Sequence, residues 1–578
     1  MKQLFRGFVV SLSALILTFC STSPDATTSL VVRIRWASDP DNLDPLVVSN
    51  SSASEVANLT YCSLLKASEA DNDFVPWLAE AMPIVQWADD SLLLVSYRLR
   101  PEATWDNGSP VLARDVAFTL KVMNCPGLPT EMDQAMFGFI RDIRLDPTDA
   151  RRFTLVCVGQ SPDHVRSSGD FSILPEYVLD PEGQLRSIAL PALRQTSRPV
   201  PAVVVAFARR YQALELNKHP ERLPGCGPYR ISDWQKGRYL TLARKTRWWA
   251  DTLSSPPPVL QAFPDQLTYQ IIPDAATATL ALRRGEIDLY SLMPAAEFVR
   301  LQQSAADQQR LRFSATDSYE FLAASFDVRK SILRDALTRR ALSQLFDVAA
   351  LVQATQQGAA VPSVGLISPR VKAYYHDSLP LLRFDPTTAV SLLQQAGWQR
   401  RGAGPWTRPN AQGQPEQLRL DLSYRTGEPA YETAARQFSA AARAVGVAVN
   451  LRPTEQSVLS RQLRAGATDM SIRTFSGNPF SYDFTPLLHS RGIGASNNTG
   501  FSLPASDELI DRIATTDDPA RKARLLRQFQ LLLHQERPFT VLYFLRYRLA
   551  AAARLRVPVT GLKPGYEAAR IRVEVPQL

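Results

Sequence analysis

Between Leu92 and Met123 the chain writes out a strand, a tight turn and the start of a helix in one run. Residues 92–99 (LLLVSYRL) are largely apolar and end on Arg100 and Pro101, which predicts a half-buried strand stopped by a residue that cannot donate to a ladder. Trp105-Asp106-Asn107-Gly108 supplies turn chemistry, because Asn and Gly accept positive φ. Beyond Pro110, Val116, Leu120 and Met123 share one helical face, with Asp115 at the positive end of the helix dipole. A strand folded back through a turn onto a helix is the corner of an α/β protein.

The rest of the chain repeats that alternation. Strand-type runs occupy 30–36, 239–243, 267–272, 418–422 and 447–451, and helical patterns occupy 277–284, 333–353, 388–395, 431–445 and 520–536. Strands separated by helices predict α/β lobes with mixed sheets. Gly446 and Gly397 read as left-handed terminators of their helices, and Asp518-Pro519 as an N-cap and first helical position. The 578 residues correspond to about four units of roughly 150 residues, fewer if large lobes are built from discontinuous segments. Proline-rich 254–259 and the loop 402–415 read as surface connections, and no internal repeat is present.

The net charge of +9 raises the question of a polyanion partner. Arginine is dispersed, however, with no block of like charge and no aromatic-basic repeat on which bases stack, so nucleic acid is not an expected partner. Lys2 and Arg6 precede an apolar run, 8–19, too short to span a bilayer comfortably but suited to an export signal. Cys20 closes that run. Residues 17–20 (LTFC) are similar to a lipoprotein cleavage box, with Phe19 where such boxes carry a small residue, so 1–20 is expected to be a signal segment and Cys20 the lipidated residue. An ordinary cleaved signal and an uncleaved anchor are the alternatives. Export would allow Cys62, Cys125, Cys157 and Cys226 to form two disulfides in any of three connectivities.

Words in the chain carry a resemblance. The run WDNGSPVLARDV (105–116) resembles the W-x-D-G-x-P-h-x-A-x-D-V phrase of the extracellular solute-binding proteins of the peptide/nickel type, family 5, with Asn107 where the phrase has Asp. In the family's order there follow or precede it Asp39-Pro40-Asp41-Asn42-Leu43-Asp44-Pro45, Tyr61 with Leu64-Leu65, Val75-Pro76-Trp77-Leu78-Ala79-Glu80, Ile173-Leu174-Pro175 and Gly225-Cys226-Gly227-Pro228-Tyr229. Ile272-Pro273-Asp274, Gly285-Glu286-Ile287-Asp288, Arg339-Arg340-Ala341-Leu342 with Asp347, Asp385-Pro386 and Ala396-Gly397-Trp398 continue it. The resemblance implies a two-lobed periplasmic-binding-protein-like α/β fold (type II, cluster C) with an inserted extra domain. Lobe I would comprise 30–70, 205–285 and 545–578, the inserted domain 71–204, and lobe III 286–544. It also implies a monomer that holds a peptide or small-molecule ligand between closing lobes and delivers it to an ABC-type permease, attached to the membrane by its lipid.

Two segments carry the implied site. Tyr319-Glu320-Phe321 resembles the family's ligand-side strand, with Ser325-Phe326-Asp327 where an Asn is usual. Residues 473–488 (RTFSGNPFSYDFTPLL) resemble the segment whose Asp meets a peptide's α-amino group, here with Gly477 or Asn478 in register and Asp483 nearby. Tyr319, Glu320, Arg473, Asn478, Tyr482 and Asp483 are the expected ligand contacts, with peptides leading and metal chelates, tetrapyrroles or oligosaccharides behind. Tyr319 and Phe484 have core packing as their competing role.

Catalytic patterns are missing. His164, His219, His376, His489 and His534 are scattered without HExxH spacing, and there is no GxSxG elbow, phosphate loop, GxGxxG or CxxC pair. No metal, cofactor or covalent chemistry is expected. The competing readings are an exported hydrolase of peptides or cell-wall fragments, and a structural or regulatory lipoprotein of the same fold without a ligand.

Overall fold

The computed structural model describes residues 29–574 apart from 49, 90, 160, 195–198 and 478–479. The expected signal segment 1–20 and Cys20 lie outside them. Among the described residues no helix is long and apolar enough to cross a membrane.

A ten-stranded sheet runs through the molecule. From one edge its order is Ala448–Thr454, Arg419–Arg425, Met470–Ser476, Leu311–Phe326, Phe539–Ala552, Leu289–Tyr290, Val31–Trp36, Gln266–Ile271, Tyr239–Arg244 and Tyr229–Gln235. Two of these strands are long, with 16 residues in Leu311–Phe326 and 14 in Phe539–Ala552, and at about 3.3 Å per residue the first extends for about 50 Å. They are antiparallel partners in two stretches, 311–317 opposite 552–546 and 321–325 opposite 544–539, with a register shift between Asp317 and Phe321. Such an irregularity bends the ladder. On one side of the bend the strands join Leu289–Tyr290 and on the other Met470–Ser476, so this pair links the two α/β lobes.

Each lobe follows local rules the sequence carries. Val31–Trp36 alternates in burial and runs parallel to Gln266–Ile271. Arg419–Arg425 and Ala448–Thr454 are also parallel, which requires a crossover. The helix Pro429–Ala444 provides it and stops at Gly446, whose φ is +83°. Asp518 caps the helix Pro519–Glu536 through its side chain, as its sequence predicts. The single helical pattern expected over 333–353 is instead two helices, Ala336–Ser343 and Val348–Gln356, because Asp347 caps a new start with its carboxylate.

The segment 71–204 contains a four-stranded antiparallel sheet in the order Ile84–Asp89, Leu92–Arg98, Arg152–Val158, Ile140–Leu145, with the helix Ala113–Met123 against it. In the opening corner, Asp115 is buried and accepts from the Leu112 amide at 2.8 Å and the Glu176 amide at 3.2 Å, with Trp105 Nε1 at 3.4 Å. Asn107 Oδ1 accepts from the Ser109 amide at 2.9 Å, and Gly108 has φ +82°. Leu93, Val95 and Phe118 share one apolar core with Val32, Ile34, Leu240 and Leu267 of the first lobe. The second lobe has cores on both sides of its sheet, one around Phe346, Phe438 and Leu420 and one around Phe321, Phe529 and Phe544.

Packing crosses the expected boundary at 286. Ile287, Tyr290, Phe298, Leu301 and Leu311 form one cluster with Ala278, Leu282 and Ala550, on the first lobe's side of the bend. The expected disulfides are also corrected, since Cys62, Cys125, Cys157 and Cys226 are all buried free thiols. Burial pushes Cys125 up to about 11 and Cys157 up to about 12, so both stay protonated and unreactive. Burial and the neighbouring Cys226 thiol hold the Cys62 thiol's pKa well above its ordinary value.

Candidate functional site: the seam between the lobes

The bend and the inserted segment bring two surfaces together. From the second lobe comes the segment after Met470–Ser476. Facing it are the hairpin Leu65–Ser68/Asp73–Pro76 and the short helix Asp163–Ser167. Asp163 is almost fully buried and accepts from Ser481 Oγ at 3.0 Å and from the Tyr482 amide at 3.3 Å, while Lys522 Nζ lies 3.6 Å from its other oxygen. Phe480 meets Phe74 edge-on with centroids 5.6 Å apart and is buried in the first lobe's core. A carboxylate taken from water needs such charged and hydrogen-bonded partners, and these three reach it from across the seam, beside Arg166 of its own helix at 3.6 Å.

A second group of contacts spans the bend itself. Ser318, Tyr319 and Glu320 occupy the register shift, three residues opposite Leu545 alone and none of them with a ladder partner in Phe539–Ala552. Glu320 is buried opposite Ser476 and accepts from Ser476 Oγ at 3.1 Å and Lys563 Nζ at 3.2 Å. The Tyr547 hydroxyl also hydrogen-bonds to Glu320, and burial with this carboxylate raises the tyrosine's pKa. Tyr319 is buried, its carbonyl accepts from the Gly477 amide at 2.9 Å, and the Arg370 guanidinium lies 5.4 Å from its ring centroid. Arg370 also donates to the Asp317 carbonyl at 2.7 Å and pairs with Glu69 at 2.5 Å; Thr560 Oγ1 donates to Glu69 at 2.6 Å. Charged side chains from 69, 163, 320, 370, 522 and 563 thus tie the lobes at the bend and along the seam.

The sequence-expected residues divide. Tyr319, Glu320 and Tyr482 are at these contacts, Tyr482 with its ring edge-on to Tyr374 at 5.0 Å and its hydroxyl buried without a partner. Asp483 is exposed beside them and caps the short turn that follows, accepting from the Thr485 amide at 2.8 Å. Asn478 lies outside the described residues. Arg473 stacks over the Phe475 ring at 4.3 Å, has no carboxylate partner among the described residues, and its Nε is buried without an acceptor. Burial lowers its pKa to about 10. An unpaired guanidinium held in the protein is a ready partner for an anionic group. Asp163, Glu69 and Lys563 were missed, because their contacts link residues up to several hundred positions apart and no local spacing marks them.

Among the described residues no group of three or more His, Cys, Asp or Glu is placed to hold an ion. His489 is buried and its Nδ1 accepts from the Arg491 amide at 3.0 Å, a turn-holding role. A polar hollow lined by Asp233, Tyr239, Thr241, Gln266 and Thr268 lies on the first lobe's outermost strands, at the end of the sheet opposite the second lobe.

Comparison with known proteins places this arrangement. Protein XP55 of Streptomyces lividans is 25% identical over 522 residues, covering 90% of this chain and 84% of its own. In fold, the oligopeptide-binding protein AppA from Bacillus subtilis, solved with a nonapeptide, superposes with a TM-score of 0.72 at 18% identity, covering 94% of this chain and 99% of its own. NikA from Brucella suis, solved with Fe(III)-EDTA, gives 0.71 at 18% identity, covering 94% and 100%. Residues 73–495 match the sequence family described as bacterial extracellular solute-binding proteins, family 5, middle region. The chain belongs to the bacterial extracellular solute-binding proteins of family 5.

Proposed function

We propose that the protein is the extracytoplasmic substrate-binding component of an ABC-type importer, taking a peptide or peptide-like ligand between its two lobes and releasing it unaltered. The observation that carries this reading is the hinge-and-seam geometry. A bent two-strand connection, 311–326 with 539–552, joins lobes whose facing surfaces meet through Asp163, Phe480 and Lys522 rather than through one continuous core. Such a joint supports opening and closing about few residues, and a ligand that touches both lobes shifts that equilibrium toward the closed form.

Relatives named for what they bind support this ligand class. Among them are an oligopeptide-binding protein from Bacillus subtilis and the nickel-binding periplasmic protein of Escherichia coli. We place the ligand contacts at Tyr319, Glu320, Arg473, Asn478, Tyr482 and Asp483, and the protein outside the cytoplasm as a monomer held to the membrane through Cys20. Incubating purified protein with a mixed peptide pool, followed by mass spectrometry of bound and free fractions, tests the reading. Retention of peptides with unchanged masses is the expected result. Peptide turnover would replace it with the hydrolase reading, and retention of nothing would favour a ligand-free lipoprotein.

A further inference from the structure

The outermost strands of the first lobe carry a polar hollow that the seam does not use. Along Tyr239–Arg244 and Gln266–Ile271, Leu240, Leu242, Leu267 and Tyr269 belong to the apolar core. Strand alternation therefore turns Tyr239, Thr241, Ala243, Gln266, Thr268 and Gln270 to the opposite face. None of these six is charged, although residues left facing water ordinarily include charged ones. The cations on the adjoining strand are engaged elsewhere, Arg33 with Asp288 at 2.9 Å and Arg35 with the Ile272 and Pro273 carbonyls at 2.8 and 2.9 Å. Asp233 and Arg238, of opposite sign, border the hollow, and Asp233 accepts from the Tyr239 hydroxyl at 2.7 Å.

All of the six but Ala243 line this open hollow, whose volume is about 620 Å³. Small-molecule sites span about 300–1,000 Å³. Thr241 is placed at its centre, opposite Thr268 in one ladder and Asp233 in the other. Thr241 is only 8% exposed, yet its hydroxyl has no hydrogen-bond partner among the described residues, since the bond from Ser232 Oγ goes to its carbonyl. Buried hydroxyls are ordinarily bonded, so this one is left open to the hollow. Thr268 and Gln270 also keep capacity free. Thr268 Oγ1 accepts from Gln266 Nε2 at 2.9 Å and donates to nothing among the described residues, while Gln270 Nε2 donates to the Glu286 carbonyl at 3.2 Å and its carbonyl oxygen accepts nothing there. Ile271 and Ile272 add an apolar wall.

The floor is a sheet face whose backbone groups are paired in ladders, so an extended peptide finds no main-chain partners on it. An ion meets one charge of each sign. Hydroxyls that both donate and accept, set around a ring with an apolar C–H face, match side chains of this kind. We propose that the hollow binds a neutral saccharide chain, with Thr241, Thr268 and Gln270 hydrogen-bonded to its hydroxyls and Ile271 and Ile272 against a ring face. The site lies away from the seam, and the inference goes beyond the peptide-receptor reading by giving the first lobe a second ligand of a different class.

Calorimetric titration and saturation-transfer NMR of the full chain with cellotetraose, maltotetraose and chitotetraose test it. At least one of the three should bind. Thr241→Val and Gln270→Ala should each weaken that binding by about fivefold or more, the loss of one hydrogen bond, with the unfolding midpoint and retention of a peptide pool unchanged. Gln270 is only half-buried, so its variant reads the site even if Thr241→Val folds poorly. Binding of none of the three sugars overturns the proposal and leaves the receptor reading standing. Binding that both variants leave intact, or that the peptide pool displaces, also overturns it, because the sugar would then sit elsewhere.

Discussion

Asp163 concentrates the contacts of the seam in a single side chain, and its removal shows whether those contacts persist in solution. Asp163→Ala would leave Ser481 Oγ and the Tyr482 amide without their acceptor and Lys522 without this ion-pair partner. We expect a loss of about 1–3 kcal/mol in urea unfolding at neutral pH. An unchanged midpoint would mean that Asp163 faces water and the lobes stand apart in the absence of ligand. Asp133 makes the opposite case, a carboxylate the fold does not welcome. Its Oδ2 is buried without a partner, and burial, with Asp44 nearby, pushes its pKa up to about 7. Between the ordinary carboxylate value and about 7 the folded state binds more protons than the unfolded one, so this group's contribution to stability falls as pH rises through that window. Asp133→Asn should therefore raise stability at pH 8 by on the order of 1 kcal/mol and change it little at pH 4, as read from unfolding midpoints at the two pH values.

At the scale of elements, the bend between 317 and 321 is the feature on which the site depends, and Gly477 is where it is most tightly fitted. A Cβ at that residue would lie 2.7 Å from the Tyr319 carbonyl oxygen, the same oxygen that accepts the Gly477 amide. Gly477→Ala should cost about 1–3 kcal/mol in unfolding experiments and reduce ligand retention at the same time. A fully stable variant would show that the two strands are not held this close. The elements themselves were largely legible in the sequence. Gly446, Asp518 and the Asp115 corner act through residues within a few positions, which is why their helices start and stop where local chemistry places them. The bend was not legible. It arises between strands more than 200 positions apart, where the Ser318 hydroxyl donates to the Leu545 carbonyl, 227 positions away, at 2.9 Å in place of a ladder bond, and no local pattern encodes such a contact. The same distance explains why packing crosses residue 286, since residues 287–311 cluster with Ala278 and Leu282 where Ala550 returns to pack on them. Of the site, Tyr319 and Glu320 were reached through their resemblance to a known strand, whereas Asp163 acquires meaning only when the seam is assembled.

Over the whole molecule, two lobes share one bent sheet and meet along a seam of charged and aromatic groups. If that bend is a working hinge, ligand binding must change the shape of the protein, because contacts to both lobes favour the closed arrangement. Small-angle X-ray scattering tests this directly, comparing protein stripped of ligand by unfolding and refolding with the same protein saturated with a peptide pool that it retains. The account predicts a larger radius of gyration for the stripped form and, for the loaded form, a profile matching the closed arrangement in which Asp163 meets Ser481 and Tyr482. Superimposable profiles with ligand demonstrably bound would contradict it.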